Sequence, residues 1–179
     1  MKQTLSVTAI SFGLLFANQV ISQEIPNDLI DSNKFKSLVS TTLLTRDTKR
    51  LSEHQYLQAI ESNDYILLDA RSKKNYKLRH IKHAINLPFT EFTAETLAKV
   101  IPNKDSKILI YCNNNFLGSP ISFASKMPAA SLNLSTQVSL AAYGYKEIYE
   151  LGPLLDISKT EIEFEGTENW PQHKVLNHE

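Results

Sequence analysis

Two near-continuous apolar runs stand out in this chain. YILLDA at 65–70 carries Asp69 near its end, and KILIYC at 107–112 ends on Cys112. Runs of this length without alternation predict strands of a parallel sheet, buried on both faces. AINLP at 84–88 predicts a further strand stopped by Pro88, and KEIYEL at 146–151 predicts a last one, ended by Gly152 and Pro153. Helical patterns lie between them. In LSEHQYLQAIES, Ser52 and Gln55 fit a capping box, with Tyr56, Leu57 and Ile60 on one face. SKKNYKLRH predicts a short helix. Thr93 is expected to cap AETLAKVI with Leu97, Val100 and Ile101 inward, and Ser135 to cap TQVSLAAY, with Gly144 as its left-handed stop. Strands alternating with helices imply an α/β fold around a parallel sheet. Residues 23–50 read as a polar N-terminal arm, partly helical around DSNKFKSLVS. Residues 113–134 read as irregular, and those from 157 on as a tail.

The first 22 residues change the picture. Lys2, the apolar LSVTAISFGLLF and the small-residue end VIS at 20–22 have the layout of a secretory leader. The apolar stretch is too short and too interrupted for a membrane span, and no cysteine follows it to carry a lipid anchor. A periplasmic or secreted location is the expectation. The remaining length suits one domain, and with 42% hydrophobic residues a normal core is possible. Charge balances at 19 basic against 19 acidic residues, which argues against nucleic-acid or membrane-surface binding through bulk charge.

Cys112 is the only cysteine. An exported chain with one thiol cannot form an internal disulfide, so that thiol pairs between molecules, packs inertly or stays reactive. Five histidines without ligand spacing and one cysteine do not make a zinc site, so neither metal nor cofactor is expected.

Four stretches in order carry a resemblance: LLDAR at 67–71, NYKLRHIKHAINLP at 75–88, ILIYC at 108–112 and YGYKEIYELGP at 143–153. Together they resemble the rhodanese-like (sulfurtransferase) domain. The resemblance implies a single α/β domain over residues 51–156, a parallel sheet with helices on both faces, flanked by the arm and a tail at 157–179. It also implies that Cys112 ends a strand at the family's nucleophile position. There a thiolate takes a sulfane sulfur from a small anionic or persulfide donor and passes it to a thiol acceptor.

The departures lie in the loop. The family's loop arginine position holds Leu117, its mid-loop glycine position holds Asn115, and the span from Cys112 to Gly144 is longer than in the family, which places an insertion at 118–132. Asn113, Asn114 and Asn115 are therefore either candidate amide donors to the substrate or residues that only shape the turn, since asparagine tolerates the backbone of tight loops. Lys126 is the candidate replacement charge. Phe123 and Met127 are expected to form a lid over Cys112, because prolines at 120 and 128 interrupt any helix there. Asp69, Arg71 and His80 are read as structural. The sixth residue after Cys112 is Gly118, so a phosphatase loop would lack its arginine clamp. Asn133 opens a glycosylation sequon, relevant only in a eukaryotic secretory pathway. The alternative function is a non-catalytic domain that keeps the fold and uses the altered loop to bind a protein partner.

Overall fold

The computed structural model describes residues 25–168; the leader at 1–22 and Trp170 of the tail lie outside them. From Asp31 onward the chain forms one unit. In chain order its elements are α1 (Ser32–Arg46), β1 (Arg50–Leu51), α2 (Glu53–Glu61), β2 (Tyr65–Asp69), α3 (Lys73–Leu78), β3 (His80–Ile81), β4 (Ile85–Asn86), α4 (Ala94–Val100), β5 (Lys107–Tyr111), β6 (Phe116–Leu117), α5 (Leu132–Ala142), β7 (Ile148–Leu151), β8 (Leu155–Asp156) and β9 (Phe164–Glu165). The main sheet has the order β1-β7-β5-β2-β4, and every pair in it is parallel.

Alternation along the central strands divides the core between the two faces of the sheet. Leu67 and Leu109 join Tyr56 of α2, Tyr111 and Phe116 in one cluster. Leu68, Ile108 and Ile110 join Leu97 of α4 and Leu140 of α5 in the other. Each fully buried Leu or Ile contributes about 1.5–3 kcal/mol, so the apolar runs of β2 and β5 anchor both layers. The expected capping boxes are present at Ser52/Gln55 and Thr93/Thr96. Gly144 follows α5 with φ +90°, as its role of left-handed stop requires.

Three features differ from the expectations. Helix α5 begins at Leu132 behind Ser131 rather than behind Ser135. A 3-10 turn at Pro128–Ala130 delivers the chain into it. Ser135 therefore lies inside the first turns, and the sequon residue Asn133 is buried. The N-terminal arm holds a full 15-residue helix, α1. The chain after residue 156 stays on the domain: Ile157 and Ile162 join the core, and β9 pairs antiparallel with β3.

The insertion departs furthest from its expected role. Phe123 does not lean over Cys112. It is buried against Phe116 (ring centroids 4.7 Å), Phe164 (5.9 Å) and the Arg71 guanidinium (4.3 Å). Met127 is 76% exposed. An aromatic ring gains most where it meets apolar surface and a cation face. That surface is the core beneath the loop, so the loop is pinned downward there.

Candidate active site

Strand ends of the sheet meet at a buried ionic network. Arg71 Nε donates to both Asp69 carboxylate oxygens (3.0 and 3.1 Å), and Nη2 reaches Oδ2 at 2.6 Å. The same guanidinium donates to the carbonyls of Ser122 (2.9 Å) and Arg79 (2.7 Å), which ties the insertion and the end of α3 to β2. Tyr111 Oη donates to Asp69 Oδ2 at 2.6 Å and accepts from the Ile81 amide at 3.1 Å. Burial, with the Asp69 carboxylate beside it, pushes the Tyr111 phenol well above its ordinary value, so it stays a neutral donor. His80 stacks on Tyr76 at 3.7 Å, and its Nδ1 lies 2.8 Å from the Tyr76 carbonyl. Asp69, Arg71 and His80 thus have the structural roles expected of them. Their network fixes Tyr111, the residue before the thiol.

Cys112 directly follows β5 and caps a 3-10 turn at Asn113–Asn115. The Asn115 backbone N–H donates to the Cys112 carbonyl oxygen at 3.1 Å, and Cys112 Sγ lies 3.4 Å from Ser131 Oγ, at the N-terminus of α5. The helix therefore presents its positive end to the sulfur. The thiol is only 1% exposed, but it lines a cavity of about 260 Å³ together with Asn114, Asn115 and Ser131. A substrate atom must enter that cavity to reach it.

The three asparagines mainly shape the loop. Asn115 Oδ1 accepts from the Cys112 amide (2.9 Å) and from Asn133 Nδ2 (3.2 Å), while its Nδ2 donates to the carbonyls of Leu151 (2.7 Å) and Pro153 (3.2 Å). Asn113 Nδ2 donates to Ala124 O at 2.7 Å. Asn114 exchanges two hydrogen bonds with the Lys126 backbone, at 2.8 and 2.9 Å. Asn113 and Asn114 latch the insertion to the nucleophile turn, and Asn115 ties that turn to the end of β7 and to α5. Lys126 takes part through its main chain; the residue is exposed and does not line the Cys112 cavity.

The charged residues on the cavity wall are Arg46 and Glu150. Neither stood out in the sequence. Glu150 lies on β7 opposite Arg50 of β1 and is 1% exposed. Arg46 Nη2 lies 2.6 Å and Arg50 Nε 3.3 Å from the same oxygen, Oε1. Arg46 Nε is buried without a hydrogen-bond partner. Burial pushes the Glu150 carboxyl up from its ordinary value, and the two arginines oppose that shift. A carboxylate inside an otherwise apolar strand was the visible clue to this wall. The arrival of Arg46 from α1 had no local signature.

The Rhodanese-like domain family model matches residues 52–151, from the α2 cap to the end of β7. The chain belongs to the rhodanese-like domain family. The thiosulfate sulfurtransferase PspE of Escherichia coli is 25% identical over 95 residues, which take in 53% of this chain and 76% of that protein. The adenylyltransferase and sulfurtransferase UBA4 of Vanderwaltozyma polyspora is 33% identical over 79 residues, 38% of this chain but only 18% of that longer protein. A protein of solved structure from Bacillus halodurans aligns with a TM-score of 0.49 at 19% identity, over 76% of this chain and 95% of its own. Within this rhodanese-like domain, the loop after the thiol contains no basic residue before Lys126.

Proposed function

We propose that this rhodanese-like protein is a sulfurtransferase or persulfide carrier with Cys112 as its nucleophile. The observation that carries this is the placement of Sγ, beside Ser131 at the N-terminus of α5 and opening on a polar cavity. The sulfurtransferase names of two relatives support it.

With thiosulfate as donor, the Cys112 thiolate attacks the outer sulfur. The sulfur–sulfur bond of the donor breaks, and sulfite leaves with its electron pair. Cys112 is left as a persulfide. An acceptor thiolate then attacks the terminal sulfur, which restores the Cys112 thiolate and yields the acceptor persulfide. The N-terminus of α5 and the Ser131 hydroxyl stabilise negative charge on sulfur in both halves of the cycle.

The test is sulfite release from thiosulfate in the presence of an acceptor thiol. The wild type should turn over and Cys112→Ser should not. Equal rates for the two, or none for the wild type, would leave the non-catalytic binding domain in its place. The proposed setting is outside the cytoplasm, after removal of residues 1–22. N-terminal sequencing of protein recovered from an expressing cell's exported fraction should begin near residue 23, and a start at Met1 would refute it.

A further inference from the structure

The Cys112 cavity has a cation on its wall, Arg46, whereas the loop's Lys126 does not line it. We propose that Arg46, delivered from α1 ahead of the sheet, is the anion-binding residue of this site and receives the oxyanion end of the sulfur donor. This deepens the sulfurtransferase reading and rests on it.

The argument begins with charge. Arg46 and Arg50 both approach Oε1 of Glu150, so two guanidinium groups face one carboxylate. Arg50 also reaches the exposed Asp47 carboxylate at 4.0 Å, so Arg46, which shares Glu150 Oε1 with it, keeps capacity for an oxyanion in the cavity. Geometry points the same way. Arg46 lines the cavity that holds Cys112, its side chain is 26% exposed, and its Nε carries a buried proton with no acceptor. A planar guanidinium on the cavity wall matches the charge and geometry of a sulfonate or similar oxyanion.

Glu150 explains why the arginine stays there. A carboxylate with 1% exposure is costly to leave unpaired, so it holds Arg46 against the wall in the absence of ligand. Position on the chain adds a further argument. Arg46 is the last residue of α1, where the negative end of the helix favours a cation, and α1 packs along α5, whose first turn abuts the thiol. Lys126 meets none of these conditions. Its backbone is latched by Asn114, and it is not on the wall.

In the donor step the outer sulfur bonds to Cys112, and sulfite departs from the Arg46 side of the cavity with the bonding pair. A residue in this role acts on charged donors and has little to grip on neutral ones. The test therefore compares the reaction of Cys112 with thiosulfate, which expels sulfite, with its reaction with a neutral organic trisulfide, which forms a mixed disulfide and expels the organic persulfide, using the full chain.

Arg46→Ala should raise KM for thiosulfate by about 10–100-fold, the range for a lost hydrogen bond to a charged group. The rise should be at least about tenfold larger than for the trisulfide. Arg46→Lys should recover part of the difference. Because Arg46→Ala leaves Glu150 with Arg50 alone, the double variant Arg46→Ala/Glu150→Gln guards against a folding artefact. It removes one charge of each sign and keeps the local net charge. It should fold and still show the thiosulfate-selective rise.

A double variant with wild-type KM for thiosulfate overturns the assignment, as does an equal loss toward both donors, which would make Arg46 structural only. A matching thiosulfate defect in Lys126→Ala, with Arg46→Ala normal, overturns it in favour of the insertion. A wild type that reacts with neither donor removes the sulfurtransferase reading, and this inference falls with it.

Discussion

Replacing Arg71 by Met tests whether the buried network holds the site together. Met keeps much of the apolar length of the side chain and removes the guanidinium. Asp69, fully buried, would keep Tyr111 Oη at 2.6 Å and the Arg71 backbone amide at 2.9 Å, but lose its counter-ion. Breaking a buried ion pair from one side costs about 3–5 kcal/mol. The carbonyls of Ser122 and Arg79 would also lose their shared donor, and Phe123 its cation contact at 4.3 Å. Domains of this kind have only about 5–15 kcal/mol of total stability, so Arg71→Met should come close to unfolding the protein. With a urea slope of about 2 kcal/mol per molar, the unfolding midpoint should fall by roughly 1.5–2.5 M. The double variant Asp69→Asn/Arg71→Met no longer buries a lone charge and should recover a good part of that loss. A midpoint for Arg71→Met within about 0.5 M of wild type would refute the reasoning. So would a double variant as unstable as the single one, since the cost would then not come from an uncompensated carboxylate.

The insertion gives a paired prediction: Phe123→Ala should cost about 3–5 kcal/mol, while Met127→Ala should stay within about 0.5 kcal/mol by urea unfolding. The reverse order would restore Met127 as a packing residue. Glu150 gives a pH prediction. Its folded carboxyl is raised, so the folded state holds that proton more tightly than the unfolded chain, and the contribution is full below the unfolded value of about 4.3. It is lost as pH rises toward the folded value, so the stability of wild type relative to Glu150→Gln should decline upward from about pH 4. A difference that grows with pH, followed by urea midpoints, would contradict the sign. Gly166 has φ +140°, and a Cβ there would sit 2.2 Å from the Leu78 carbonyl oxygen. Gly166→Ala should therefore detach the segment around β9 and lower the melting temperature; an unchanged melting curve would show that this docking contributes little.

The parts of the fold visible in the sequence are those with local or periodic causes. YILLDA and KILIYC are apolar throughout because the sheet is covered on both faces, and Ser52 and Thr93 cap helices through contacts three residues away. Cys112 was legible for the same reason, as the end of such a run. What stayed hidden depends on tertiary meeting points. Ser131 and Ser135 are both plausible caps, and only the 3-10 turn before Ser131 decides between them. Phe123 looked like a lid residue because nothing local shows that Arg71 waits beneath it. Ile157, Ile162 and Phe164 have no common period, so their return to the core leaves no pattern. Arg46 and Glu150 are 104 positions apart and meet only when α1 packs along α5.

The most direct test of the central claim is the intact mass of the purified protein after exposure to thiosulfate and removal of excess donor. A gain of one sulfur atom that localises to Cys112, disappears on treatment with an acceptor thiol and is absent from Cys112→Ser is the expected result. Wild-type protein that never gains that mass, with Cys112 shown to be reduced, would contradict a sulfur-carrying role for this site.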